Sequence, residues 1–170
     1  MPGTRTSFET HDCGFAQALE AIGDQWCLLI LRDFFLGLTR FDDFAEHLSI
    51  STKVLADRLK RLEASELIVA RADPRDGRGK IYQLTGKGED LGPLIGSFTQ
   101  WGEKWVPKKG GPRTEIFDLR TGEPVMIVPI STESHRVLAR EDIGQRTGPG
   151  GSRVRDHVED LLEKRNPSRC

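Results

Sequence analysis

Lys53, Asp57 and Lys60 stand at i, i+4 and i+7, with Ser51 and Thr52 just ahead of them and Arg58 beside them. On a helix that spacing makes one face of short polar and cationic side chains, with Arg58 and Arg61 on its flank. About fifteen residues on, Arg75, Arg78 and Lys80 cluster in a segment punctuated by Asp73-Pro74 and Asp76-Gly77, with Arg71 at its base. Ser, Thr and Lys at a helix start can meet phosphates and base edges, an Asp can accept from a cytosine amine, and a tip of cations can neutralise phosphates. The chemistry on offer is recognition of double-stranded DNA.

These residues need elements to position them. In the segment that carries Lys53, Leu55, Leu59 and Leu62 repeat at the same i, i+4, i+7 spacing, so they share one buried stripe opposite the polar face. Ahead of it, Phe41, Phe44, Ala45 and Leu48 give a second short amphipathic helix, which Thr39 can cap with Asp42 three positions on. A Ser49-Ile50-Ser51 turn joins the two, and either serine can cap the second helix. Leu67 to Val69 and Ile81 to Leu84 are apolar runs of strand type, which the turn formers between them fold into a hairpin with a cationic loop. Two helices, a tight turn and a basic hairpin predict a winged helix-turn-helix, with the helix at about 51–64 in a major groove and the wing at about 71–82 on the backbone or in the minor groove.

The charge distribution agrees. The chain of 170 residues has a net charge of -1, which by itself argues against a nucleic-acid partner. By segment, residues 1–50 hold three basic and eight acidic side chains, whereas residues 51–80 hold eight basic and five acidic, a local excess of +3. Positive charge is thus concentrated where the hairpin and helix would present it. So modest an excess predicts binding that leans on base contacts and on a dimer.

An N-terminal Cys, then AIGDQWCLLILRDFFLGLTRFDDFAEHL, IST with KVLADRLKRLE, LIVAR, YQLTGKGEDL and a helix ending QWGEKW stand in order along the chain. Over roughly residues 12–106 this resembles the HxlR-type winged-helix transcriptional regulators. The resemblance implies a bacterial or archaeal homodimeric transcription factor, with one winged helix per subunit and dimerisation through terminal helices. Gly14 stands where the family's N-terminal cysteine is usually followed by proline, and the wing is more highly charged than is usual in the family.

The flanking segments predict the rest of an α+β, mainly helical architecture. Helices are expected from Gly14 to Gly23 and from Asp24 to Gly37, the latter a central beam with Trp26, Ile30, Leu31 and Phe34 at helical spacing. Thr85 or Gly86 opens one long final helix with Leu91, Leu94, Ile95, Phe98, Trp101 and Trp105 on one side. That stripe either completes the core or forms a dimer interface centred on Phe98, Trp101 and Trp105. A domain of about 100 residues already has apolar surface enough in its earlier helices, and the resemblance, which implies dimerisation through terminal helices, supplies much of the preference for the interface. A dimer would present two recognition helices to a pseudo-palindromic operator.

After Pro107 the character of the chain changes. Residues 108–112 read as a linker, and 113–170 as an extension with a hairpin (Thr114 to Arg120 with Val125 to Ile130), a Gly-rich loop from Gly144 to Gly151 and a terminal helix near 153–165. The extension lacks the paired cysteines a zinc ribbon needs.

Other chemistries find no support. Gly148-Pro149-Gly150-Gly151 lacks the order of a phosphate-binding loop, and His11, His47, His135 and His157 have no metal-ligand spacing. No catalytic set can be assembled, so neither an enzyme nor a cofactor is expected. The longest apolar run, Trp26 to Leu31, is far short of the ~20 residues a membrane span requires. The first residues lack the apolar core of a secretory signal, and three scattered cysteines fit a reducing compartment, so the cytoplasm is expected.

Two alternatives stay open. A winged helix can serve as a protein-interaction module, although a wing with four cations is poorly made for that. Cys13 matches a position that some members of the family use as a thiol switch, and it precedes a helix whose positive end could lower a thiol pKa. Asp12 and Glu9 beside it would oppose a thiolate, which leaves redox sensor and inert residue both available.

Overall fold

The computed structural model describes residues 7–145, 148 and 149, with Asp76, Gly77 and Arg78 described by their backbone alone. The expected terminal helix near 153–165 lies outside the described residues, as does most of the Gly-rich loop. Among the described residues six α-helices and one hairpin run in the order α1 (Gly14–Ile22), α2 (Gln25–Phe35), α3 (Phe41–Leu48), α4 (Thr52–Ala64), β1 (Ile68–Asp73), β2 (Asp76–Leu84), α5 (Gly86–Glu89) and α6 (Gly92–Trp105), with a short 3-10 turn at Arg140–Asp142. The chain divides into one unit over Ile22–Val137 and a second formed by the segments on either side of it.

The α2 helix is the beam of the larger unit. Asp24 caps it: its Oδ1 accepts the N–H groups of Trp26 and Cys27 at 3.0 and 3.2 Å. Its apolar residues then bury Cys27, Ile30, Leu31 and Phe34 against α3, α4 and α6. One acid, Asp33, is buried among them; Arg32 donates to its Oδ1, and its Oδ2 lies 2.9 Å from His47 Nδ1 on α3. The helix ends at Phe35, and Gly37 follows at a φ of 94°.

Capping differs from expectation at α3. The helix begins at Phe41 with Arg40 as N-cap and no side-chain cap bond, so Thr39 does not cap it. The backbone at residues 39 and 40 is instead drawn into the sheet: Arg40 bridges Ile81, and the Tyr82 N–H donates to the Thr39 carbonyl at 2.7 Å. At the other end Ser49 takes a left-handed conformation, φ 51°, and closes α3, which leaves Ser51 to cap α4.

The two strands pair antiparallel from Ile68↔Leu84 to Asp73↔Asp76, with an irregularity between Ala72 and Asp73. Pairing therefore resumes inside the segment expected as a loop, at Asp73↔Asp76, and the turn shrinks to Pro74-Arg75. Lys has little strand propensity of its own, but the pairing of Lys80 with Ala72 overrides it.

The single long final helix is two helices. Thr85 caps α5, its Oγ1 accepting from Gly88 N–H at 3.2 Å, and the path breaks at Asp90-Leu91 before α6 starts. Pro93 is the cause, having no N–H for the preceding turn and a ring that clashes with it; it sits where proline is tolerated, at the start of α6. Gly88 lets α5 lie close against the chain just ahead of β1, since a Cβ there would overlap the Leu67 carbonyl.

Beyond α6, residues 113–137 form two tight turns instead of a regular hairpin. Phe117 bridges Pro124, and Ile130 bridges Val137. Pro124 and Pro129 remove donors that a longer ladder would need. Gln100 on α6 anchors this segment as a strand would: its Nε2 donates to the Val125 carbonyl at 2.7 Å, and its Oε1 accepts the Ile127 N–H at 3.1 Å. Gly96 supplies the notch that receives the Ile127 side chain.

Candidate nucleic-acid interface

The α4 helix carries two rows of identical spacing on opposite sides. Leu55, Leu59 and Leu62 are fully buried, while Lys53, Asp57 and Lys60, offset by two residues and hence by about 200°, are exposed. Ser51 and Thr52 are exposed at the helix start, where Ser51 Oγ accepts the Val54 N–H at 3.3 Å. Anchored leucines leave the polar row standing out from the domain, and Ser51, Thr52 and Lys53 lie at the positive end of the helix, which suits contact with anionic phosphates.

Arg58 stands apart from that row. It is half-buried, and its Nε lies 2.7 Å from Asp24 Oδ2. Burial acts to raise the Asp24 carboxyl, but the hydrogen bond from Arg58, the Cys27 N–H and the Arg58 charge outweigh it and hold the group below its ordinary value of 3.8. The guanidinium thus ties α4 to the start of α2. Nothing in the local pattern of α4 signals this; the only hint is an Asp placed at a helix start.

The wing brings Arg71, Arg75 and Lys80 to the surface, all exposed, with Arg75 in the two-residue turn. The side chain of Arg78 lies outside the described residues. Asp73, at the end of β1, is buried and faces inward.

The α6 helix has three sides. Ile95 enters the core. Gly96, Gln100 and Glu103 face the extension, the Glu103 Oε2 accepting the Arg113 N–H at 3.0 Å. The third side carries Leu94, Phe98, Trp101 and Trp105, which are 48, 69, 58 and 63 % exposed. The sequence stripe is therefore split: Ile95 belongs to the core, and both tryptophans are left without cover within the unit.

The two described cysteines differ. Cys27 is buried, and burial pushes its thiol up to about 11, a setting for a packing residue. Cys13 is partly exposed at the start of α1, where its carbonyl accepts the Gln17 N–H at 3.0 Å. Among the described residues no group of acids, histidines and cysteines could hold a metal ion, and no helix is long and apolar enough to cross a membrane.

A helix pair with a short turn, a projecting second helix and a basic two-stranded hairpin define a winged helix-turn-helix. Residues 21–110 match the HxlR-like helix-turn-helix family, and the chain belongs to that family. It is 32 % identical over 143 residues to an uncharacterised HTH-type transcriptional regulator of Mycobacterium tuberculosis, covering 84 % of this chain and 89 % of the relative. It is 33 % identical to the HTH-type transcriptional regulator YodB of Bacillus subtilis over 52 % of this chain and 80 % of YodB. Among solved structures, PA1607, described as a candidate transcription factor, superposes with a TM-score of 0.74 at 34 % identity, covering 85 % of this chain and 99 % of that one. The reduced form of the redox regulator HypR superposes with a TM-score of 0.51 at 25 % identity, over 56 % of this chain and 95 % of HypR. Membership places this chain among helix-turn-helix transcriptional regulators.

Proposed function

We propose that the protein binds operator DNA sequence-specifically as a homodimer in the cytoplasm and so regulates transcription. In this reading residues 12–106 form the DNA-binding and dimerisation domain, and 113–170 a C-terminal extension. The observation that carries it is the exposed row of Lys53, Asp57 and Lys60, with Ser51 and Thr52, directly opposite the buried leucine row of α4. The row enters the major groove, and Arg75, Arg78 and Lys80 meet the backbone or minor groove beside it. Arg58 contributes chiefly by holding α4 in place through Asp24. The uncovered stripe of Leu94, Phe98, Trp101 and Trp105 is the surface that a second copy covers, which sets two recognition helices on a pseudo-palindromic site. Genome-wide mapping of bound DNA tests the proposal: a recurrent two-fold motif is expected, and its absence would sink sequence-specific binding.

A second reading adds a signal. Cys13 is partly exposed at a helix start, and HypR, a structural neighbour, is a redox regulator. Oxidation of Cys13 would then release DNA by shifting the dimer. Diamide treatment of wild type, Cys13→Ser and Cys27→Ser decides it: release should fail only in Cys13→Ser. Release in all three, or in none, removes Cys13 from the account.

A further inference from the structure

Asp73 closes β1 at the wing tip with only 3 % of its surface exposed. Both of its oxygens are engaged. Oδ1 accepts the Arg75 N–H at 2.8 Å across the Pro74-Arg75 turn, and Oδ2 pairs with the guanidinium of Arg40, the N-cap residue of α3. The backbone at 39 and 40 is also laddered to Ile81 and Tyr82 of β2. The start of α3 therefore grips the hairpin twice, once along β2 and once near its tip. A lone two-stranded hairpin is marginal in water, so its angle to the domain depends on such links. Since α3 packs on α4, the path Arg75, Asp73, Arg40, α3, α4 connects the wing's cation to the recognition helix.

Burying a carboxylate is costly unless it is paired, and an Asn could cap the same turn without that cost. The charge at residue 73 is accounted for by Arg40. We propose that Asp73 and Arg40 are positioning residues that fix where Arg75 meets the DNA backbone relative to α4. This rests on the reading of the wing as a DNA contact. A cation held in place loses less freedom on binding than one on a swinging hairpin, so the latch raises what Arg75 contributes.

The test is a pair of double-mutant cycles. Binding to a mixed-sequence duplex of about four helical turns is measured at several salt concentrations for Arg75→Ala in wild type, in Asp73→Asn and in Arg40→Gln. Asn keeps an oxygen for the Arg75 N–H but loses the ion pair; Arg40→Gln breaks the pair from its more exposed side and serves if Asp73→Asn fails to fold. Arg75→Ala should weaken wild-type binding about 5- to 10-fold and flatten the salt slope by about 0.9, yet cost less than about 2-fold in either background. Equal factors in all backgrounds, whatever the melting temperatures, would overturn the positioning role and leave the wing contact standing. An Arg75→Ala that is silent in wild type would overturn both, while a loss in Lys53→Ala on the same duplex would keep the α4 reading intact.

Discussion

Arg58 Nε lies 2.7 Å from Asp24 Oδ2, while Oδ1 of the same carboxylate caps α2 through the N–H groups of Trp26 and Cys27. One acid thus starts the central beam and ties down the helix proposed to read DNA. Removing it undoes a cap and a link together. Asp24→Ala should destabilise the protein by about 0.5–2 kcal/mol, the usual range for a lost N-cap. Arg58→Ala should cost less stability, about 0.2–1 kcal/mol for a partly exposed pair, and should weaken DNA binding through misplacement of α4. Lys53→Ala should leave the melting temperature unchanged and weaken specific binding by about 1–3 kcal/mol if it contacts a base edge. Thermal melts alongside operator titrations separate the three. A Lys53→Ala protein with wild-type affinity would count against the exposed row of α4 as the reading surface.

The same carboxylate predicts a pH dependence. Its folded pKa lies below the ordinary value of 3.8, so between the two values the unfolded chain binds more protons. The stabilisation is complete above the unfolded value and is lost as pH falls through the folded one. Melting temperatures of wild type and Asp24→Asn should therefore converge as the solution is acidified from about pH 5 to about pH 2.5. Parallel curves over that window would mean that Asp24 is not held in its charged form by Arg58.

The wing contact is measured by salt. Replacing Arg75, Arg78 and Lys80 together by Ala should weaken binding to all sequences about equally and reduce the slope of log affinity against log salt by up to about 3. Phosphates carry no sequence information, so the preferred operator should not change. An unchanged slope would detach the wing from DNA.

Trp101 and Trp105 are exposed within the unit, so they do not complete its core. Either Trp→Ala variant should keep its fold, yet truncating an aromatic anchor should cost the dimer about 2 kcal/mol or more. Sedimentation across a dilution series should show monomer at concentrations where wild type is dimeric. Two folded variants as dimeric as wild type would place the interface elsewhere.

Much of this protein was legible in the sequence because periodicity is local. The leucine row of α4, the apolar beam of α2, the serine turn and the strand pair all follow from spacing that a helix or a pleat imposes on its own residues. The break before α6 follows from Pro93 in the same way, although the apolar stripe running across it suggests a continuous helix. Arg58 sits between Asp57 and Lys60 in a cationic stretch and reads as one more DNA contact; its partner lies on another helix, out of reach of any local pattern. Asp73 reads as a turn former, and only the approach of Arg40 gives its second oxygen a role.

The sequence by itself determined which face of each helix is apolar and which stretches carry positive charge, since these depend on side-chain type and order along one chain. The tertiary structure decided which cations remain exposed, which acid locks the wing and which side of α6 stays uncovered. Ion pairs and packing join residues far apart in the chain, and their existence depends on distances that only the folded backbone sets.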